Sequence, residues 1–257
     1  MMGMATASWP DLAETARTGG VLLIPLGSTE QHGPHLPVTT DTDIASAIVE
    51  AAAGRDPRLV VAPAVPYGSS GEHRDFPGTL SIGQDATTLL LIELGRSAGV
   101  HFARAVVVSA HGGNALPVAR AMQRLSEEGH PMSAWSPSWS GDLHAGRTET
   151  SLMLAIAPER VTLDRAEPGD TRPLDELLPL LRAAGVRPVS ANGVLGDPAG
   201  ATPEEGVRLL DRAVDGLLAH LAAPAPLLDR RAPEAWRPTA PGASGGSDGA
   251  ATIGVSS

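Results

Sequence analysis

Glu30, His32, His35, Asp41 and Asp43 put two imidazoles and three carboxylates within fourteen residues. Histidine and carboxylate mixed at this density suit a divalent ion such as Zn²⁺, Mn²⁺ or Fe²⁺. Glu30 and His32 stand two apart, so an extended segment would point both to one side. Gly33-Pro34 then turns the chain and lets Asp41 return to the same point. A solvated polar loop is the plainer reading, but such loops rarely alternate Glu and His around Gly-Pro so densely. In Ser109-Ala-His111-Gly-Gly-Asn114, a histidine precedes two glycines, which fits a metal ligand or a glycine loop for an anion. In Asp142-Leu-His144-Ala-Gly-Arg-Thr-Glu149, His144 is free to act as an acid or base. Glu149 is either a working carboxylate or a simple anion in the first turn of a helix. His73 lies in a polar loop, Tyr67 to Thr79, that either lines a pocket or bonds to itself. Trp135 and Trp139 either wall the site or belong to the core, and His101, His130 and His220 lack ligand-like neighbours.

These groups need a scaffold that delivers loops to one place. Val21–Leu26, Leu59–Ala62 and Arg104–Val108 read as buried strands, with a weaker one at Met132–Trp135. Helical periodicity covers Thr42–Ala53, Gln84–Ala98, Ala115–Glu128, Thr148–Ile156, Leu174–Ala184 and Pro203–Leu221. In the second of these, Leu89, Leu90, Ile92 and Leu94 are expected to form the buried side. Alternating strands and helices predict an α/β fold with a mostly parallel sheet covered on both faces. Ligand loops at the carboxyl ends of such strands are where these sheets bind. Residues 1–222 are expected to form one domain. Residues 223–257 turn to Pro and Gly and are expected to form a flexible tail, with Trp236 the residue most able to dock.

Composition removes the competing chemistries. The 257 residues include no cysteine and no lysine, so all 19 basic residues are arginine. Thiolate nucleophiles, disulfides, thiolate zinc sites, Schiff bases and lysine P-loops are therefore excluded. The net charge of −10 argues against nucleic acid. No apolar run reaches membrane length and the start lacks the pattern of a signal peptide, so no membrane partner and a cytoplasmic location are expected.

Gly27-Ser-Thr-Glu-Gln-His-Gly-Pro-His-Leu-Pro, Glu-His-Arg-Asp-Phe-Pro-Gly-Thr, Ser-Ala-His-Gly-Gly-Asn and His-Ala-Gly-Arg-Thr-Glu-Thr-Ser resemble, in order, the four motifs of the creatininase family. The likeness runs from residue 21 to about 157, with a compatible helical remainder to about 222. It implies a three-layer α/β/α sandwich, two divalent metal ions per subunit (Zn, Fe or Mn), and a homo-oligomer, a hexamer in the family. Carried over by position, Glu30, His32, Asp41 and His111 become metal ligands, Asp41 bridging the two ions. Where creatininase has a further ligand glutamate, this chain has Gly113, and the resemblance implies that Glu149 takes its place. That departure argues against creatinine as the substrate. His144 matches the family's catalytic histidine, which would protonate the leaving nitrogen of an amide attacked by metal-activated water. His73 and Asn114 are candidates for the substrate pocket.

Within the family, the text from Asp142 to Leu154 and Gly193–Pro198 resembles the peptidases of mycofactocin biosynthesis. Their substrate is a modified precursor peptide, cut near its C-terminus to release a Val-Tyr-derived fragment. Two alternatives stand beside this expectation: another family amidohydrolase acting on a small cyclic or formyl amide, and a non-enzymatic metal-binding scaffold.

Overall fold

The computed structural model describes residues 2–130, 132–139 and 141–223, so residues 224–257, most of the expected tail including Trp236, lie outside the described residues. Two strands form the spine. β2 (Val21–Leu26), which follows the short β1 (Met2–Gly3) and helix α1 (Trp9–Arg17), pairs in parallel with β4 (Arg104–Ser109), from Val21 opposite Arg104 to Leu26 opposite Ser109. β3 (Leu59–Val61) flanks β2 on its other side, β1 lies outside β3, and β5 (Met132–Trp135) lies outside β4. The order is β1-β3-β2-β4-β5, with every pairing parallel.

Period-two alternation along the spine divides the apolar side chains between two faces. Leu23, Val106 and Val108 pack on α2 (Thr40–Arg55), α5 (Arg147–Ile156) and α7 (Pro203–Ala222) through Ile44, Ile48, Leu152, Met153, Val214 and Leu217. Leu22, Ile24 and Val107 pack the other way, on α3 (Gly83–Ala98) and α4 (Ala115–Glu127), through Leu91, Ala98, Ala121 and Leu125. Both faces are covered, which is why the strands read as unbroken apolar runs. Each fully buried leucine contributes roughly 1.5–3 kcal/mol relative to exposure. The fold is the expected three-layer α/β/α sandwich. Among the described residues no helix is long and apolar enough to cross a membrane.

The buried side of α3 differs from the expected one. Thr87, Leu91, Gly95 and Ala98 face inward, whereas Leu89 is 58% exposed and Leu90 37%. Ile92 and Leu94 are only partly buried. The run of leucines concealed the stripe because the helix docks through its small residues: a side chain on Gly95 would strike Leu125 and Met132. The edge strand β1 and helix α1 also escaped the reading. Two residues are too few for a strand pattern, and α1 has no buried residue.

A close approach holds the face that carries the site. Gly206 of α7 lies against the Ser151 carbonyl of α5, and a β-carbon there would collide with it. Gly206→Ala is expected to lower stability by about 1–3 kcal/mol through overpacking, measured by urea unfolding. An unchanged midpoint would show that the two helices can separate freely.

Sheet topology fixes where function can lie. The chain passes from β2 outward to β3, then back across β2 to β4. The carboxyl ends of β2 and β4 therefore flank the point where the winding reverses, the usual crevice of open α/β sheets.

Candidate metal centre

Four loops converge at that crevice. The loop after β2 carries Glu30 and His32 and leads to Asp41 in the first turn of α2. The loop after β4 carries His111, followed by the tight turn Gly112–Asn114. A turn at Gly71–His73 brings His73, and His144 and Glu149 come from the start of α5. Asp142 anchors that last loop by accepting the Arg147 amide at 2.5 Å. Ala145 adopts a left-handed conformation at φ 53°, a cost of roughly 1–2 kcal/mol for an L-residue. The conformation accompanies an Ala145 amide that donates to Glu149 Oε2 at 2.6 Å.

Glu30 is the centre of the arrangement. Its side chain is fully buried and neither carboxylate oxygen has a hydrogen-bond partner. Imidazole nitrogens nevertheless crowd it. His111 Nε2 stands 3.2 Å from Oε2, His73 Nε2 3.3 Å from Oε1, and His144 Nδ1 3.7 Å from Oε1. Asp41 is the second hub, with Oδ1 3.2 Å from His32 Nε2 and Oδ2 3.2 Å from His111 Nδ1. Ser28 Oγ donates to Asp41 Oδ2 at 2.6 Å. Glu149 Oε2 lies 3.8 Å from His32 Nε2. Glu30, Asp41 and His111 each offer an atom to one common point, as do His32, His144 and Glu149, and Glu30, His73 and His144. A buried carboxylate without donors is costly unless a cation completes it. This donor set of carboxylates and imidazoles fits divalent ions.

Hydrogen bonds select the tautomers. His32 Nδ1 lies 3.1 Å from the Glu30 carbonyl and Nε2 3.2 Å from Asp41 Oδ1; both partners can only accept, so both nitrogens carry a hydrogen. His144 Nε2 donates to the Gln31 carbonyl at 2.8 Å, leaving Nδ1 open towards Glu30. The Gln31 amide nitrogen donates to His73 Nδ1 at 2.9 Å and to the Gly193 carbonyl at 3.0 Å. His73 therefore carries its hydrogen on Nε2, which stands 3.3 Å from Glu30 Oε1 without making a hydrogen bond to it.

The electrostatic field separates these histidines. Burial alone would depress His32, but Asp41, Glu149 and Glu30 overrule it and raise its pKa to about 10. His111 is likewise raised to about 10 against burial, by Glu30 and Asp41. Burial pushes Glu30 up to about 8, opposed by His111. Asp41 resists burial and stays well below the carboxylate range because His32 and His111 face it. Burial, reinforced by His32 and His73, holds His144 well below the usual imidazole value. Positive charge is thus stabilised at His32 and His111 and repelled at His144, which stays neutral at pH 7.

Residues 5–221 match the family model described as "Creatininase: Creatinine amidohydrolase". The chain belongs to the creatininase family. It is a hydrolase that acts on amide bonds, as family membership and its peptidase-named relatives indicate. It is 49% identical over 211 residues to the mycofactocin precursor peptide peptidase of Mycobacterium ulcerans (strain Agy99), covering 78% of this chain and 84% of that protein. The protein of the same name from Mycobacterium tuberculosis (strain CDC 1551 / Oshkosh) is 44% identical over 232 residues, covering 86% and 90%. Among solved structures, a creatininase described with Mn superposes with a TM-score of 0.73 at 26% identity, covering 86% of this chain and 97% of that one. A mutant creatininase of Zn-Zn type gives 0.72 at 26% identity, covering 85% and 96%.

For this creatininase-family chain, the structure gathers Glu30, His32, Asp41, His73, His111, His144 and Glu149 at one centre. Two members of the first cluster go elsewhere. His35 Nε2 pairs with Thr150 Oγ1 at 2.9 Å, and Asp43 pairs with Arg160 at 2.9 Å. Asn114, expected at the substrate pocket, spends its amide on backbone. Its Oδ1 accepts the Ser69 amide and its Nδ2 donates to the Gly27 carbonyl, both at 2.9 Å. Asn114 thus ties the loop after β2 to the loop at 69 and is not among the residues that line the cavity. Trp139 does line the cavity above the centre, whereas Trp135 faces a smaller hollow against α7. Ser28, Gln31 and Glu72 stand within the quoted motifs, but sequence reading gave them no role. Nothing in spacing marks them, because each acts through a contact made only on folding.

Proposed function

We propose that the chain is a two-ion peptidase that cuts an amide bond near the C-terminus of a modified precursor peptide, releasing a Val-Tyr-derived fragment in mycofactocin biosynthesis. The observation that carries the hydrolytic reading is the buried, donorless Glu30 carboxylate ringed by imidazoles beside Asp41. In this reading Glu30, Asp41 and His111 hold one ion, His32, Asp41 and Glu149 hold the other, and residues 1–222 form the catalytic domain. Zn²⁺, Fe²⁺ or Mn²⁺, when bound, supplies a hydroxide at neutral pH and polarises the scissile carbonyl. His144 has its Nε2–H committed to Gln31, so Nδ1 is the atom that takes a proton and passes it to the leaving nitrogen. His73 Nε2 stands 3.3 Å from Glu30 Oε1 and packs beside that carboxylate.

The substrate assignment draws on the relatives' names and on the cavity. About 980 Å³ opens over the centre, walled by Leu174, Leu178, Leu181 and Val186, with Arg74 and Arg182 supplying positive charge. That volume suits the end of a peptide better than a small cyclic amide. The same reading makes the protein a cytoplasmic homo-oligomer, hexameric by likeness to the family.

The test is to incubate the metal-loaded chain separately with the modified peptide, creatinine and a formyl amide, and to follow products by mass spectrometry. Release of the C-terminal fragment is the expected result. Turnover of creatinine or the formyl amide with the peptide left intact would replace this substrate with a small amide. Metal binding without any turnover would leave the scaffold role.

A further inference from the structure

Three of the four imidazoles at the centre donate from one ring nitrogen to a main-chain carbonyl. His32 Nδ1 donates to the Glu30 carbonyl, His111 Nε2 to the Ser69 carbonyl at 3.0 Å, and His144 Nε2 to the Gln31 carbonyl. A ring held in this way stays neutral when a cation takes its other nitrogen, the common arrangement of ligating histidines. His73 is wired the opposite way. Its Nδ1 accepts a hydrogen at 2.9 Å from the side-chain nitrogen of Gln31. The ring's one hydrogen is then on Nε2, and an ion there would have to turn the ring into an imidazolate. Position alone does not tell this histidine from the others, because Glu30, His73 and His144 offer atoms that converge on one point.

The buried Gln31 carboxamide is fixed at both ends. Its Oε1 accepts the Gly33 amide at 2.8 Å, and its Nε2 donates to the Gly193 carbonyl at 3.0 Å. Turned over, the group would set donor against donor at Gly33 and acceptor against acceptor at Gly193. The second hydrogen on Nε2 is left for His73 or His144, whose rings lie 4.5 Å apart. His144 Nε2, at 3.0 Å, already carries a hydrogen for the Gln31 carbonyl and has nothing to accept with, so His73 receives it. Gly193 makes the room. It lies at φ 83°, and a β-carbon there would collide with Gln31 Oε1. This glycine opens the segment Gly193–Pro198, between α6 (Leu174–Ala184) and α7, whose Leu195 pairs with the His144 backbone.

We propose that Gln31 is a positioning residue that keeps His73 out of the ion site, by holding the ring's hydrogen on the nitrogen that faces Glu30. The convergent group of Glu30, His73 and His144 is thereby reduced to Glu30 and His144, too few donors for an ion of its own. The His144 Nδ1 atom stays free for the proton. The inference rests on the two-ion reading above but not on its substrate.

The experiment is a Zn²⁺ titration of the chelator-stripped full chain against a chromophoric competitor, for wild type, His73→Gln, Gln31→Glu and the double variant. His73→Gln should bind Zn²⁺ as tightly as wild type. A weakening of one equivalent by about 10–100-fold, the loss seen when even a ligand's supporting group is removed, would make His73 a ligand and overturn the proposal. Gln31→Glu keeps the size of the side chain but offers His73 Nδ1 an acceptor, so the hydrogen moves to Nδ1 and Nε2 is freed. Zn²⁺ should then bind about 10-fold more tightly or better, a gain that a merely loosened fold does not produce. The gain should vanish in the double variant. No gain in Gln31→Glu, or a gain that survives the loss of His73 and so comes from the added charge, overturns the assignment. A Zn²⁺-loaded crystal structure of wild type needs no variant to fold: an ion about 2.1 Å from His73 Nε2 overturns it as well. Wild type that binds no Zn²⁺ removes the two-ion reading and this assignment together. Because the probe is Zn²⁺ alone, failure to cut the modified peptide removes only the substrate reading.

Discussion

Replacing Asp41 with alanine is expected to abolish ion binding and hydrolysis together. The reason is geometric: its two oxygens each stand 3.2 Å from a different imidazole, His32 on one side and His111 on the other. No other carboxylate in the centre faces both. Its removal would leave each half of the site with too few anionic donors and with two buried imidazoles lacking their shared counter-charge. Losing the ions removes several kcal/mol of charge stabilisation, on the order of 10³-fold or more in rate. Asp41→Asn serves as the shape-conserving control, because it can still meet the Ser28 hydroxyl. Metal content measured on purified protein, alongside peptide cleavage, decides the matter. Full activity in a metal-free Asp41 variant would sink the two-ion reading.

The second large effect separates chemistry from assembly. His144→Ala should keep both ions and still lose about 10²–10⁴-fold in turnover, the usual worth of a positioned acid or base. His144 is suited to the role because its field repels positive charge while its tautomer is held by the Gln31 carbonyl. A neutral imidazole with Nδ1 free can accept a proton and release it within one cycle. The expected signature is a fall in kcat with little change in KM and unaltered metal content. An unimpaired rate would strip His144 of its part. A fall in metal content would instead make it a ligand, in the grouping with His32 and Glu149 or with Glu30 and His73.

Motif spacing located most of the centre because ligands in such sheets sit a few residues beyond strand ends. Glu30 and His32 follow β2, and His111 follows β4, so an apolar run ending in a polar cluster is a local and readable signal. Glu149 was ambiguous for a physical reason: an anion in a helix's first turn is stabilised by the helix whether or not it does anything else. Its approach to His32 at 3.8 Å is not written in the spacing, because it depends on how α5 docks. Asn114 was misplaced because its motif neighbours are functional, while its own amide is taken by two backbone groups on other loops. The error on α3 has the same origin. Leucine-rich text does not reveal that Gly95 and Ala98 let the helix sit close to its neighbour.

By itself the sequence determined the class of chemistry, the family likeness and the parallel α/β layering. Composition, strand length and side-chain alternation act over short stretches, and they survive without knowledge of what packs where. The absence of cysteine and lysine already confined catalysis to histidine, carboxylates, hydroxyls, amides or a bound metal. Only the tertiary structure decided which polar groups meet. The strand order brings β2 beside β4 and so His32 and His111 to the two sides of Asp41. The Gly185–Val186 backbone pins Glu72 where Gly113 leaves room. Those convergences join positions dozens of residues apart, and distance along the chain carries no record of them until the layers close.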